Sequence, residues 1–213
     1  MTRPLVVAIT GGSGAVYAVR LLQVLLAGGR EVFLMLSRSG ADVIRQELKL
    51  ELNLSVAGFD AEPLVTYRSP WSESVPELPD DWRERLTYAA IDDYFSPIAS
   101  GSFLTDGMVV CPCSGSTLSS IARAASSNLV HRAAEVHLKE RRSLVLVTRE
   151  TPLSVIALEN MTLAAKAGAT LLPAMPGWYH GVRGLDDLVD FVVARILDQL
   201  GIENHLMQRW GEA

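Results

Sequence analysis

Short all-apolar runs alternate along this chain with longer stretches of helical spacing. Leu5–Ile9 reads as a buried strand, and Thr10-Gly11-Gly12-Ser13-Gly14 follows as a turn. Ala15–Ala27 carries Val16, Val19, Leu22 and Leu26 at helical intervals until Gly28-Gly29 stops it. Val32–Leu36 predicts a second strand and 40–50 a second helix. Residues 55–80 break the rhythm: Pro63, Pro70, Pro76 and Pro79 stand among scattered charges and predict an irregular excursion. A short helix is expected over Trp82–Tyr94, and a third strand over Met108–Val110. Residues 116–125 and 132–140 read as helices, Leu144–Val147 as a strand, 152–167 as a helix and 170–172 as a strand. Leu185–Leu200 closes the chain as an amphipathic helix.

Strand–helix alternation with all-apolar strands predicts an α/β fold, a parallel sheet covered by helices on both faces. The expectation is one domain over residues 1–213, with the proline-rich excursion spanning about 55–95. Ligands of such sheets bind beyond the carboxyl ends of the strands. That directs attention to 10–14, 37–39, 113–117, 148–151 and 173–181.

Composition narrows the function. The 213 residues are 49% hydrophobic and carry 19 Lys and Arg against 24 Asp and Glu, a net charge of −5. The acidic balance argues against a nucleic-acid binder. No apolar run approaches the roughly 18 residues of a membrane helix. The apolar start is too short for a signal-peptide core, which predicts a cytoplasmic protein. Cys111 and Cys113 are the two cysteines. Their one-residue gap, with no further cysteine, does not suit zinc, so they are read as packing groups and no metal is expected.

The loops supply the candidate chemistry. Gly11, Gly12 and Gly14 let backbone approach a ligand, and the following helix offers free N–H groups to an anion. Ser13 adds a hydroxyl; a plain tight turn with a helix cap is the competing reading. The loop is a poor dinucleotide fingerprint, because Tyr17 stands where a third glycine belongs. Ser37-Arg38 replaces the acidic residue that an NAD site places after the second strand, which leaves only an NADP reading formally open. Ser114, Gly115, Ser116 and Thr117 repeat the small-hydroxyl arrangement after the third strand. Arg132 and Lys139, seven apart, share a helix face and can present two cations to a phosphate or simply to water. Arg149-Glu150 offers an anion-binding group beside an acid/base group. Thr151-Pro152 equally reads as a helix start, with Thr151 as the cap. Trp178 and Tyr179 can wall an apolar ligand, and Arg195 faces either water or a phosphate.

Together these motifs resemble the flavin prenyltransferase family of the UbiX/Pad type. The resemblance rests on Thr10–Gly14, Cys111-Pro112-Cys113-Ser114 with Thr117-Leu118, and Arg132-Ala133-Ala134-Glu135 with 138–142. It rests also on Arg149–Leu153 and Pro176-Gly177-Trp178-Tyr179-His180. They stand in family order over about 5–200, outside the excursion. The resemblance implies a flavodoxin-like, Rossmann-like three-layer fold. It implies an enzyme that joins the dimethylallyl group of dimethylallyl monophosphate to N5 and C6 of reduced FMN. The product, prenylated FMN, would serve a UbiD-type decarboxylase, and the assembly would be a dodecamer without metal.

Carried over by motif, Gly11, Gly12, Ser13, Ser37, Ser114, Gly115, Ser116, Thr117 and Arg132 would hold FMN. Lys139, Arg149, Tyr179 and Arg195 would hold the prenyl phosphate, with Tyr94 as a wall. Glu47, Glu150 and Ser13 would serve the chemistry, Glu47 by its spacing from Ser37. Gly12 stands where the family commonly has alanine, and the longer stretch before Ser100 leaves mono- and diphosphate donors both open. Two other functions fit the motifs less well. One is a non-catalytic FMN carrier. The other is a flavin-dependent cysteine decarboxylase, which would place a histidine in the first half, where this chain has none before His131.

Overall fold

The computed structural model describes residues 2–72 and 75–211. Strands β1 (Leu5–Ile9), β2 (Val32–Leu36), β3 (Leu86–Tyr88), β4 (Gly107–Cys113), β5 (Leu144–Thr148) and β6 (Thr170–Leu171) form one parallel sheet, in the order β3-β2-β1-β4-β5-β6. The helices are α1 (Ala15–Ala27), α2 (Arg38–Leu48), α3 (Glu62–Val65), α4 (Gly115–Ala122), α5 (Leu129–Lys139), α6 (Val155–Lys166) and α7 (Leu185–Gln199). This is the three-layer, doubly wound arrangement that the alternation predicts.

The period-two pleat explains why β1 is apolar throughout. Leu5, Val7 and Ile9 join one core with α1, α7 and Ile44 of α2. Val6 and Ala8 point the other way, into a second core with Leu118, Leu129, Ala133 and Ala164. Both faces are dry, so no position on the strand tolerates a polar group. Strand order reverses at β1, which pairs with β2 on one side and β4 on the other. The crevice for a ligand opens at that switch point.

The structure corrects several sequence expectations. Trp82–Tyr94 is not a helix; turns lead into β3, which pairs with β2 through Val32↔Leu86 and Leu34↔Tyr88. A three-residue edge strand with an exposed Thr87 at its centre leaves almost no period-two signal. The excursion packs back on this edge, because Phe59 stacks on Tyr88 at 3.8 Å and Trp82 is buried. Helix α6 starts at Val155, three residues later than expected, because the Ser154 hydroxyl caps Ala157 N. Thr151 therefore caps nothing there, and Pro152 precedes the helix. Helix α5 starts early, at Leu129, where the Asn128 side chain accepts from His131 N. Strand β4 runs on through the Cys-Pro-Cys segment, with a register shift against β5 between Val110 and Cys113.

His137, 1% exposed on α5, ties this layer to the loop before β4. Its Nδ1–H donates to Ala133 O at 2.7 Å, so Nε2 accepts from the Thr105 hydroxyl at 2.8 Å. Burial is the main reason its pKa falls from 6.5 to about 4. The folded protein keeps the ring neutral, while the unfolded chain takes up a proton as pH drops below the ordinary imidazole range. Stability is therefore lost as pH falls from about 6.5 toward about 4, by on the order of 3 kcal/mol. Thermal unfolding from pH 7 to pH 4 is expected to show this slope. His137→Gln, which cannot titrate, is expected to flatten it; an unaltered slope in the variant counts against the assignment.

Candidate functional site

The loops after β1 and β4 are stitched together by one hydroxyl. Thr10 Oγ1 donates to Pro112 O at 2.7 Å and accepts from Ser114 N at 2.9 Å. Thr10 N donates to the same carbonyl. The glycines then allow close backbone approach. A Cβ on Gly12 would lie 3.0 Å from Pro112 Cβ, and one on Gly11 would lie 2.7 Å from Ser39 Oγ. Gly14, at φ 108°, occupies the left-handed region and caps α1. Tyr17, in the third-glycine position, lays its ring against Gly14, and its burial raises the phenol pKa.

Three helix N-termini meet this crevice. The Glu47 carboxylate, on α2, accepts from Gly14 N at 3.0 Å and Ala15 N at 2.8 Å, the first free donors of α1. Ser37 caps α2, its hydroxyl accepting from Gly40 N at 3.0 Å and lying 3.2 Å from Ser39 Oγ. Ser114 caps α4, with its hydroxyl against Ser116 Oγ and Thr117 Oγ1 at 3.2 and 3.0 Å. The loop after β5 closes the third side. Arg149 Nε donates to Ser13 O at 3.1 Å. Glu150 lies over the start of α4, where a Cβ on Gly115 would be 3.8 Å from its Oε2.

The enclosed hollow measures about 260 Å³ and is lined by Gly11, Gly12, Ser13, Ser114, Gly115, Arg149 and Glu150, among others. A larger hollow, of about 320 Å³, lies between α1, the Tyr67–Ser72 stretch and the start of α7. Its lining includes Val16, Val19 and Trp71, with the Arg20–Asp190 pair, and none of the glycine-loop residues. Volume does not favour the first hollow; its convergent polar chemistry does, and that is the better criterion for a reaction site.

Cys111 and Cys113 are buried. Burial pushes the Cys113 thiol up to about 12, and Cys111 higher still, so both are protonated packing groups rather than nucleophiles.

The other expected site residues lie apart from this hollow within one chain. Arg132 donates through Nε to Ala99 O at 3.1 Å and reaches Glu135 at 3.5 Å. Lys139 ends α5, paired with Glu140 at 2.9 Å. Strand β5 then starts at Leu144 and ends at Thr148 in the hollow, so Lys139 sits at the sheet's amino edge. Arg195 lies in the last turns of α7, whose end packs Leu200 against Gly107, the first residue of β4. Tyr94 is 48% exposed, and Tyr179 is 54% exposed with its ring edge-on to Phe191 of α7. Sequence reasoning passed over Ser39 and the Thr10 stitch. Ser39 falls two residues after the cap, an i,i+2 spacing that signals nothing by itself.

A family model described as Flavoprotein matches residues 1–197. The flavin prenyltransferase UbiX of Halalkalibacterium halodurans is 46% identical over 206 residues, 97% of this chain and 92% of the relative. The chain belongs to the flavin prenyltransferase family. Among solved structures of flavin prenyltransferase type, AnUbiX (PadA1), crystallised with FMN and dimethylallyl pyrophosphate, superposes with a TM-score of 0.80. It is 34% identical, with 99% of this chain and 98% of that one covered. A dodecameric FMN-dependent UbiX-like decarboxylase from Escherichia coli O157:H7 gives a TM-score of 0.76 at 37% identity, covering 97% and 98%. The family membership agrees with the resemblance read from the motifs.

The stitch predicts a stability effect. Thr10→Val removes both hydroxyl contacts and leaves Ser114 N without that acceptor. A loss of about 2–3 kcal/mol is expected, read as a lower urea midpoint with unchanged slope. An unmoved midpoint argues that the two loops are held by other means.

Proposed function

We propose that this protein is a flavin prenyltransferase, joining the dimethylallyl group of dimethylallyl monophosphate to N5 and C6 of reduced FMN. The observation that carries the reading is the convergence of Gly11, Gly12 and Ser13, the Ser114-capped α4 and the Arg149-Glu150 pair around one hollow, with Glu47 on the backbone donors that open α1. The residues suit an isoalloxazine nucleotide. Gly11 and Gly12 form a floor with no side chain to intrude, and Ser13, Ser37, Ser114, Ser116 and Thr117 offer hydroxyls to a phosphate. Gly115 and Arg132 complete the FMN contacts in this reading.

In the overall reaction, the C–O bond of the donor breaks and phosphate leaves with the electron pair as N5 bonds the allylic carbon and gives up its proton to the phosphate; C6 then bonds the far alkene carbon and a fourth ring closes. Arg149 and Lys139 neutralise the departing phosphate in this scheme and Arg195 anchors the donor's phosphate, so the role needs no metal. Tyr179 and Tyr94 wall the allylic group and stabilise positive charge on it. Ring closure delivers one proton to the alkene and removes one from C6, and the carboxylates Glu47 and Glu150, with Ser13 beside them, supply that exchange. Orientation of the two substrates supplies much of the rest, about 7–11 kcal/mol in well-aligned cases.

Lys139 and Arg195 lie toward the sheet edge away from the hollow, so the reading draws them from neighbouring copies in a homo-oligomer. Twelve copies is the number proposed, as in the E. coli relative. The product is passed to a UbiD-type decarboxylase in the cytoplasm. Among the described residues, no helix is long and apolar enough to cross a membrane.

Glu150→Gln is expected to retain FMN while product formation falls about a hundredfold or more. The assay is anaerobic incubation with reduced FMN and dimethylallyl monophosphate, followed by absorbance and mass. If the unaltered protein makes no heavier flavin under these conditions, a carrier role takes the place of catalysis.

A further inference from the structure

Helix α7 presents Phe191, Arg195 and Asp198 at intervals of four and three, hence along one face. The segment after the helix folds back along that face. Arg209 grips Asp198 with both ends of its guanidinium, Nη2 to Oδ1 at 2.8 Å and Nη1 to Oδ2 at 3.1 Å. Asn204 Nδ2 adds a second donor to Oδ1 at 3.1 Å. Arg195 Nη1 donates to Oδ2 at 2.7 Å, so two guanidiniums share one oxygen. The next residue, Trp210, lies edge-on to Tyr179 at 5.5 Å, and Tyr179 stands edge-on to Phe191 at 5.8 Å.

One carboxylate thus orients Arg195 and holds the segment that backs Tyr179. Asp198 is mostly buried, its side chain 16% exposed, whereas Arg195 remains 43% exposed. That bond to Asp198 engages one of Arg195's five N–H donors. Arg209 is also the leading reason the Asp198 carboxyl sits below the usual carboxylate range, which keeps it charged.

We propose that Asp198 is a positioning residue: it fixes the Arg195 guanidinium for the prenyl phosphate, while Arg209 and Asn204 hold the carboxylate itself in place. This rests on the reading of Arg195 as a prenyl-phosphate ligand. Asp198 itself touches no substrate in this account; it acts through Arg195. A cation left free to swing loses affinity for the phosphate in the ground state and in the transition state alike. The effect therefore falls on KM rather than on kcat.

The test is a double-mutant cycle on the full chain, with KM for dimethylallyl monophosphate, kcat and FMN affinity measured for each variant. Asp198→Asn is expected to raise KM about tenfold while kcat at saturation and FMN affinity hold. Arg195→Ala is expected to raise KM at least as much, and adding Asp198→Asn to it is expected to change nothing further. Asp198→Glu keeps the charge and displaces the oxygen by one methylene; an intermediate KM is expected, and this variant serves if the asparagine form folds poorly. If Arg195→Ala raises KM but both Asp198 variants leave it alone, the proposal falls and the reading of Arg195 stands. The proposal also falls if Asp198→Asn multiplies KM equally in the Arg195→Ala background, since Asp198 then acts by another route. An unchanged KM in Arg195→Ala overturns the reading of Arg195, and the proposal with it.

Discussion

One side-chain hydroxyl holds the two central loops in register. Thr10 bonds Pro112 O and Ser114 N, so the glycine turn after β1 and the cap of α4 after β4 cannot move independently. Without the hydroxyl, the Thr10 N–Pro112 O bond alone would tie these loops beyond the strand ladder. With the stitch in place, Gly12 rests on Pro112, Arg149 bridges to Ser13 O, and Glu150 comes to rest over Gly115. The hollow is a consequence of that register. It needs small residues on two sides and one buried hydroxyl, and this explains why so short a stretch of chain carries so much of the architecture.

Charge is distributed unevenly between the two edges of the sheet. The carboxyl edge holds Glu47, Arg149 and Glu150 with three helix N-termini, whereas Lys139 on one face of the sheet and Arg195 with Arg209 on the other lie toward the amino edge. Each cation of the second group lies beside a carboxylate: Glu140 for Lys139, and Asp198 for both arginines. Such pairs add little stability at a surface. They do restrict where a long side chain points, which is the property a phosphate site requires.

The central strands and the chemistry-bearing loops were legible because physics leaves a strong mark there. A strand dry on both faces is apolar at every position, as in Leu5–Ile9, and a loop that must admit a ligand is rich in glycine and serine, as in Gly11–Ser13. The edge was not legible. Leu86–Tyr88 is three residues long and half-exposed, and the Phe59–Tyr88 stack that fastens the excursion joins residues 29 positions apart. Ser154 outcompeted Thr151 as a cap for a reason no local pattern reveals, since both are good caps followed by helix-compatible residues. The grouping of Arg195 with Arg209 through Asp198 depends on the chain reversing after α7, which periodicity does not encode.

The two cysteines have a consequence for how the protein withstands its own chemistry. Reduced flavin reacts with oxygen to yield peroxide, and peroxide attacks thiolates. Cys113 lines the hollow, yet its sulfur is buried and, with a pKa near 12, almost wholly protonated at neutral pH. Cys111 packs in the core on the other face of the sheet and is still less acidic. Sulfenic and sulfinic damage is thereby kept from the wall most exposed to stray oxidant, and the strand beneath a redox-active guest is itself redox-inert.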